Sequence, residues 1–172
     1  YRYAVRLLQL REEALQALSE LQGKLRGRLV VGASTIPGSY LLPQLIGAFK
    51  QEHPEIQVKV HIANTLGIGE AVLRKELDLG LVGSKWPEPR LSFVEIYLDT
   101  LVLAVSPQHP FATRPEVTLA ELAAQPFVAR EPGSGTQMVV QRVLAEHGLQ
   151  FGKLQIAAEM PNTEAVRQSI KA

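Results

Sequence analysis

The sequence has no cysteine in 172 residues, which excludes disulfide frameworks, thiolate nucleophiles and Cys-ligated metal centres. No run approaches the roughly 18 apolar residues of a membrane-spanning helix. The first residues also lack the basic-then-apolar order of a secretory signal. These absences favour the cytoplasm. What is present, 46% hydrophobic and 20% charged residues, is typical of one average globular domain or two small lobes.

The chain also lacks a large excess of charge of one sign, but its charged residues are unevenly distributed along the sequence. The chain has 18 Lys and Arg against 17 Asp and Glu, a net charge of +1. Residues 1–28 carry six basic and three acidic side chains, whereas the remainder carries 12 basic and 14 acidic ones. A body with an acidic balance has no general attraction for phosphate backbones. Any contact with nucleic acid is therefore expected outside it.

Residues 1–26 are predicted to form an amphipathic helix, because apolar residues such as Ala4, Leu7 and Leu8 recur at helical spacing. Gly23 and Gly27 mark its end. The helix could pack on its own domain or against a second copy. Its position ahead of the first predicted strand favours a connector or dimerisation helix.

From residue 27 onward, short apolar runs alternate with helical segments, which predicts an α/β protein with mainly parallel sheets and helices on both faces. Strands are predicted at 28–33, 56–62, 78–82, 126–130 and 154–158. Helices are predicted at 40–52, from Asn64 or Thr65 to about 77, after a Thr118–Glu121 capping box, from Gly133–Thr136 to Gly148, and from Asn162 or Thr163. We expect two lobes, 27–98 and 99–172, with the second truncated and its crossover back to the first missing.

Catalytic, metal and cofactor patterns are not found. Ser134 lies between glycines but without the Gly-x-Ser-x-Gly pattern, and none of the four histidines has a motif relation to it. No His-x-x-x-His or carboxylate-rich metal loop occurs. Gly67 and Gly69 lack the third glycine and the acidic partner of a dinucleotide site, so they are expected to allow a close approach instead. The sequence therefore predicts neither an enzyme nor a metal or cofactor site.

Small hydroxyl or amide residues stand at three points where a predicted strand leads into a helix. Ordinary helix capping explains any one of them. Three such turns, from both lobes, predict an anion-binding cleft built from hydroxyls and free helix N–H groups. The residues are Ser34, Thr35, Asn64, Thr65, Ser134, Gly135 and Thr136.

An ordered set of short segments resembles the effector-binding domain of LysR-type transcriptional regulators. Each segment is weakly specific, but the set follows the family's order over essentially the whole chain. The segments are Gly27–Thr35, Tyr40–Pro43, Phe49, His53–Pro54, Leu77–Leu81, Leu101–Phe111 and Arg130–Thr136.

The resemblance implies two periplasmic-binding-protein-like lobes around an effector cleft, with residues 1–26 as the linker helix. It also implies an N-terminal winged helix-turn-helix that binds operator DNA, absent from this sequence, and a homodimer or homotetramer that could also contact RNA polymerase. The expected effector is a small anion, an oxyanion or a carboxylate. Carried over by position, the implied ligand-binding residues are Ser34, Thr35, Asn64, Thr65, Arg130, Gly133, Ser134, Gly135 and Thr136.

Two other functions remain open at this stage. A solute-binding protein of a transporter shares the bilobal fold, although a basic amphipathic helix before the first strand argues against it. An enzyme on the same fold lacks a recognisable acid, base or nucleophile.

Overall fold

The computed structural model describes residues 26–171 and, ahead of them, residues 3, 4, 6–8, 10, 11 and 14. The described residues ahead of 26 are helical and exposed, and Leu7 and Leu8 keep 69% and 60% of their surface. The rest of the predicted helix over 1–26 lies outside the described residues.

The first lobe is built on a parallel sheet with the strand order β2-β1-β3. Its strands are β1 (Gly27–Ser34), β2 (Ile56–Ala63) and β3 (Leu79–Leu81), and its helices are α1 (Thr35–Tyr40), α2 (Leu42–Glu52) and α3 (Thr65–Leu73). Each of the turns after β1 and β2 leads directly into a helix. The carboxyl ends of the parallel strands therefore lie at one edge of the sheet.

The two faces of β1 pack against different helices, because successive residues of a strand point to opposite faces. On one face, Val31 and Ala33 form a buried core with Leu42 of α2. On the other face, Gly32 lies so close to Ile68 of α3 that a Cβ at position 32 would approach its side chain to 3.0 Å. The predicted parallel sheet with helices on both faces is confirmed for this lobe.

Residues 82–118, which connect the lobes, contain no helix or strand. The Trp86 and Phe93 rings meet edge to face, with centroids 5.1 Å apart. Beyond them, apolar side chains such as Val94 and Val102 remain exposed. The lobes are thus joined by irregular chain on both sides of the predicted boundary between residues 98 and 99.

The second lobe is organised around two parallel strands. Its elements are α4 (Leu119–Ala123), β4 (Pro126–Arg130), α5 (Gly135–Glu146), a 3-10 turn (Phe151–Lys153), β5 (Gln155–Met160) and α6 (Thr163–Lys171). The predicted capping box starts α4: Glu121 N–H donates to Thr118 Oγ1 at 3.2 Å, and Thr118 N–H donates to Glu121 Oε2 at 2.8 Å. Among the described residues, no helix has the length and hydropathy needed to cross a membrane.

Two predicted helix boundaries are wrong. Helix formation begins at Thr35 rather than Tyr40, and it is interrupted at Leu41, just ahead of Pro43 in the first turn of α2. Proline cannot donate the hydrogen bond that would continue α1 into α2. At the other boundary, α3 ends at Leu73 rather than near 77, because Lys75 adopts a left-handed conformation with φ of 57°.

Candidate ligand-binding site between the lobes

Hydrogen bonds join the turn after β4 to the helix starts of the first lobe. Leu66 N–H donates to the Gly133 carbonyl at 3.2 Å, and the Asn64 side-chain amide donates to the Pro132 carbonyl at 3.3 Å. Arg130 Nη2 donates to Thr35 Oγ1 at 3.1 Å. These contacts bring the three predicted turns together where the lobes meet. This region is called the interlobe crevice here and is defined by Ser34–Thr35, Asn64–Thr65 and Arg130–Thr136.

Ser34 lies at the end of β1, directly before α1, but its side chain does not cap that helix. Its side chain makes no cap hydrogen bond, and its Oγ accepts instead from Gly83 N–H at 3.1 Å. Only 5% of Ser34 is exposed. Its hydroxyl thus fastens the end of β1 to the turn after β3, and ordinary capping does not account for it.

The start of α3 is satisfied within the protein. The Asn64 side chain accepts from Gly67 N–H at 2.8 Å, as an N-cap residue does. Leu66 N–H is occupied by the Gly133 carbonyl, which reaches it because Gly133 adopts a φ of 85° that disfavours other residues. Capping therefore explains Asn64, and Gly133 shapes the turn.

The start of α5 keeps two backbone N–H groups that the described residues do not pair. Ser134 caps it by accepting from Gln137 N–H at 3.1 Å, and Ser134 itself is buried. Within the described part of the chain, the N–H groups of Gly135 and Thr136 have no hydrogen-bond partner. Free N–H groups and the positive end of the helix dipole both favour an anionic oxygen at this point.

Thr65 supplies a buried hydroxyl beside that helix start. The residue has no exposed surface, and its Oγ1 is the one buried side-chain polar atom of the described residues without a hydrogen-bond partner. A Cβ built on Gly135 would lie 2.8 Å from this oxygen. Leaving a buried hydroxyl unpaired destabilises the protein by about 1–3 kcal/mol. A ligand atom that forms a hydrogen bond with this hydroxyl removes that penalty, which favours binding.

Arg130 ends β4, and its side chain is only 5% exposed. Its Nε donates to Glu131 Oε2 at 2.8 Å, and its Nη2 donates to Glu131 Oε1 at 3.0 Å. Nη1 donates to Thr163 Oγ1 at 3.0 Å. The guanidinium is thus held almost entirely by the protein.

Sequence reasoning missed several residues that border the crevice. A Cβ on Gly135 would also approach Gly83 and Ser84 at 3.1 and 3.2 Å, so the turn after β3 lines the crevice. That turn carries the same signal, small residues at the end of a strand. Gln137, in the first turn of α5, is only 6% exposed. Because it lies within a predicted helix, its sequence position did not indicate that it would be buried.

The other motifs considered in the sequence have structural roles or remain unassembled. Gly69 makes room for the Trp86 ring, which would lie 2.3 Å from a Cβ at that position. Within the described residues, no group of three or more His, Cys, Asp or Glu side chains could hold a metal ion.

The lowered carboxyl pKa values belong to ion pairs away from the crevice: hydrogen bonds from Arg90 and Arg167 bring the pKa of Glu88 and Glu164 to about 2.

Comparison with known families and proteins decides between the remaining functions. Residues 22–172 match the family model described as "LysR substrate binding domain". The chain belongs to this family. Membership of this family supports the predicted ligand-binding domain of the LysR type over a transporter's solute-binding protein.

Curated relatives agree with this assignment. The chain is 31% identical to a probable RuBisCO transcriptional regulator of Cyanidium caldarium and 32% identical to one of Emiliania huxleyi, each over 99% of its length. It spans 55% of both relatives, so it corresponds to about half of such a protein.

Solved structures share the fold. The QuiR effector-binding domain in complex with shikimate aligns with a TM-score of 0.76 at 20% identity, over 84% of this chain and 69% of that one. The regulatory domain of Synechocystis PCC6803 CcmR in complex with 2-PG aligns with a TM-score of 0.65 at 29% identity, over 84% and 68%. The predicted periplasmic-binding-protein-like fold is confirmed by these neighbours.

Proposed function

We propose that this chain is the sensing part of a LysR-type regulator in which a small anion binds in the interlobe crevice and changes DNA binding. The observation that carries the proposal is the unpaired, fully buried Thr65 hydroxyl beside the open N–H groups of Gly135 and Thr136. All of these groups are donors, and an anionic oxygen is the acceptor that suits them.

Both lobes contribute to the crevice, which gives the ligand a way to act at a distance. A molecule that contacts Thr65 of the first lobe and Gly135 of the second favours the closed arrangement of the lobes. Closure then moves the chain leading to the N-terminal helix and the DNA-binding domain expected before it. The coupling is reciprocal, so operator DNA must alter the affinity for the ligand by the same factor.

The proposed partners follow from the family and from the exposed helix. Operator DNA is bound by the winged helix-turn-helix, and a second copy covers the apolar residues Leu7 and Leu8 in a homodimer or homotetramer. RNA polymerase is a further partner of such a regulator. We place the protein in the cytoplasm, where operator DNA and metabolite anions meet, and assign it no catalytic role.

Calorimetric titration of the full-length regulator tests the ligand class. The probes are 2-PG, shikimate, benzoate and sulfate, with 2-PG first because the CcmR domain that binds it is 29% identical. At least one is expected to bind, and Thr65→Val, which removes the unpaired hydroxyl, should weaken it at least tenfold. Ser106→Ala, which removes the hydroxyl of a half-buried residue outside the crevice, is the control.

Two results would overturn the proposal. Absence of binding by all four anions would remove the anionic effector. Binding that Thr65→Val does not change would place the ligand elsewhere. Fluorescence anisotropy of labelled operator DNA, with and without the probe, then reports whether the ligand changes DNA affinity.

A further inference from the structure

Arg130 is the one guanidinium of the described residues hydrogen-bonded across the crevice, and its charge is already matched. Glu131, the next residue, accepts two hydrogen bonds from it, at 2.8 and 3.0 Å. Such a two-point carboxylate contact is the strong form of this ion pair. A ligand anion would have to compete with Glu131 to use Arg130 as its counter-ion.

Most of the guanidinium's hydrogen-bonding capacity is also taken. Nε donates to Glu131, and Nη1 donates to the Thr163 hydroxyl at 3.0 Å. Nη2 donates to Glu131, to Thr35 and, at 3.5 Å, to the Pro161 carbonyl. Arginine carries five N–H donors, and four of them have these partners. Since its side chain is only 5% exposed, Arg130 is a fixed part of the crevice wall.

The contact with Thr35 has a directional consequence. A threonine hydroxyl has one proton to donate and two lone pairs that accept. Because Arg130 Nη2 donates to Thr35 Oγ1 at 3.1 Å, a lone pair of that oxygen is used. Donation by a charged group also polarises the hydroxyl and makes its proton a better donor.

From these contacts we infer that Arg130 is a positioning residue, which fixes the Thr35 hydroxyl as a donor toward the bound anion while Glu131 keeps Arg130 from pairing with that anion itself. The inference rests on the proposed function and refines it. Arg130 determines specificity for an acceptor oxygen at Thr35, but it acts through Thr35. In this inference Arg130 acts indirectly, whereas the sequence resemblance implies that it is itself a ligand contact.

A double-mutant cycle on the full-length regulator tests the dependence on Thr35, with sulfate as the probe. The variants are Thr35→Val, Arg130→Met and their combination, and affinities are measured by calorimetry. Each single variant should weaken sulfate at least fivefold. The double variant should bind within twofold of the weaker single one, because both substitutions remove the same interaction.

Further variants separate this role from a structural one. Thr35→Ser keeps the hydroxyl and should retain affinity within twofold of the original protein. Arg130→Lys keeps a charged partner for Glu131, so it guards against a folding defect and should give a smaller loss that again vanishes in the Thr35→Val background. Arg114→Met, which removes an ion pair with Glu121 in the second lobe, is the control for loss of a guanidinium.

The outcomes distinguish this inference from the proposed function. If sulfate binds and the two single losses multiply, Arg130 contacts the anion directly and the inference is wrong, whereas the anion site stands. If Arg130→Met has no effect, the inference is wrong as well. If no anion probe binds the original protein, the proposed function fails and takes this inference with it.

Discussion

The Cβ that alanine would add at Gly135 lies 2.8 Å from the Oγ1 of Thr65, so the two lobes meet here with no room for a methyl group. The same Cβ would approach the backbone of Gly83 at 3.1 Å and of Ser84 at 3.2 Å. Because two of these neighbours are backbone atoms, they cannot move aside as the end of a flexible side chain can. Glycine at 135 is therefore a condition for the crevice to close.

Gly135→Ala is expected to hold the lobes apart and to weaken anion binding at least tenfold. The added methyl group should also lower the free energy of unfolding by about 1–3 kcal/mol, the usual range for overpacking. The matched control is Gly47→Ala in α2, where a Cβ meets nothing within 4 Å. That control should leave binding unchanged and stabilise the protein by up to about 1 kcal/mol. Equal effects of the two variants would contradict the close contact.

Asn64 is expected to show two separable roles. Asn64→Ala removes both the cap on Gly67 N–H and the hydrogen bond from the side-chain amide to the Pro132 carbonyl. The loss should lower the free energy of unfolding by about 1–2 kcal/mol. Asn64→Ser keeps a capping oxygen but loses the amide donor. It should retain most of the stability while the lobes open more readily, which small-angle scattering would detect as a larger radius of gyration. If the serine variant has the same radius of gyration as the original protein, the hydrogen bond from Asn64 to the Pro132 carbonyl does not hold the lobes together.

The capping box of α4 predicts a pH dependence. Hydrogen bonds from Arg114 and Thr118 lower the pKa of Glu121 from 4.5 to about 2. A lowered folded-state pKa means that the stabilisation is present above pH 4.5 and is lost as the pH falls toward 2. Denaturant unfolding of the original protein and Glu121→Gln should differ at pH 6 and converge as the pH falls below 4.5. A difference that stays constant over this range would contradict the assignment.

Much of the fold follows from local sequence pattern. Alternation of apolar runs with capped helices is enough to predict β4 with its exact bounds, the Thr118–Glu121 box and the parallel sheets. Helix boundaries that depend on competing local effects were harder to predict from the sequence. The break between α1 and α2 falls just ahead of Pro43, whose nitrogen cannot donate the hydrogen bond that would join the two helices. The end of α3 depends on the left-handed conformation of Lys75. The sequence did not indicate this conformation, because the residue there is not glycine.

The candidate site could be predicted as a set of turns but not as a set of roles. Ser34 and Asn64 present the same pattern in the sequence, yet Asn64 caps its helix and Ser34 binds Gly83 across the sheet. The pairing of Arg130 with Thr35 spans 95 residues, and no local pattern encodes it. Such roles depend on how the lobes meet, which only the folded structure shows.

Thr65 gives the most direct test of the site, because its hydroxyl has no partner in the protein. Thr65→Val replaces that hydroxyl with a methyl group of similar size. The unliganded variant should be as stable as the original protein or up to about 1 kcal/mol more stable, because no protein hydrogen bond is lost and an unpaired buried polar atom is removed. Thr65→Ser, which keeps the hydroxyl, is the control for binding.

The decisive measurement is the calorimetric affinity of Thr65→Val for the anion that the original regulator binds, alongside its unfolding free energy. We expect affinity to fall at least tenfold while stability is maintained, and Thr65→Ser to bind within a fewfold of the original. Unchanged affinity in Thr65→Val would contradict a ligand at this hydroxyl. A loss of stability in the unliganded variant would show instead that the hydroxyl serves the fold.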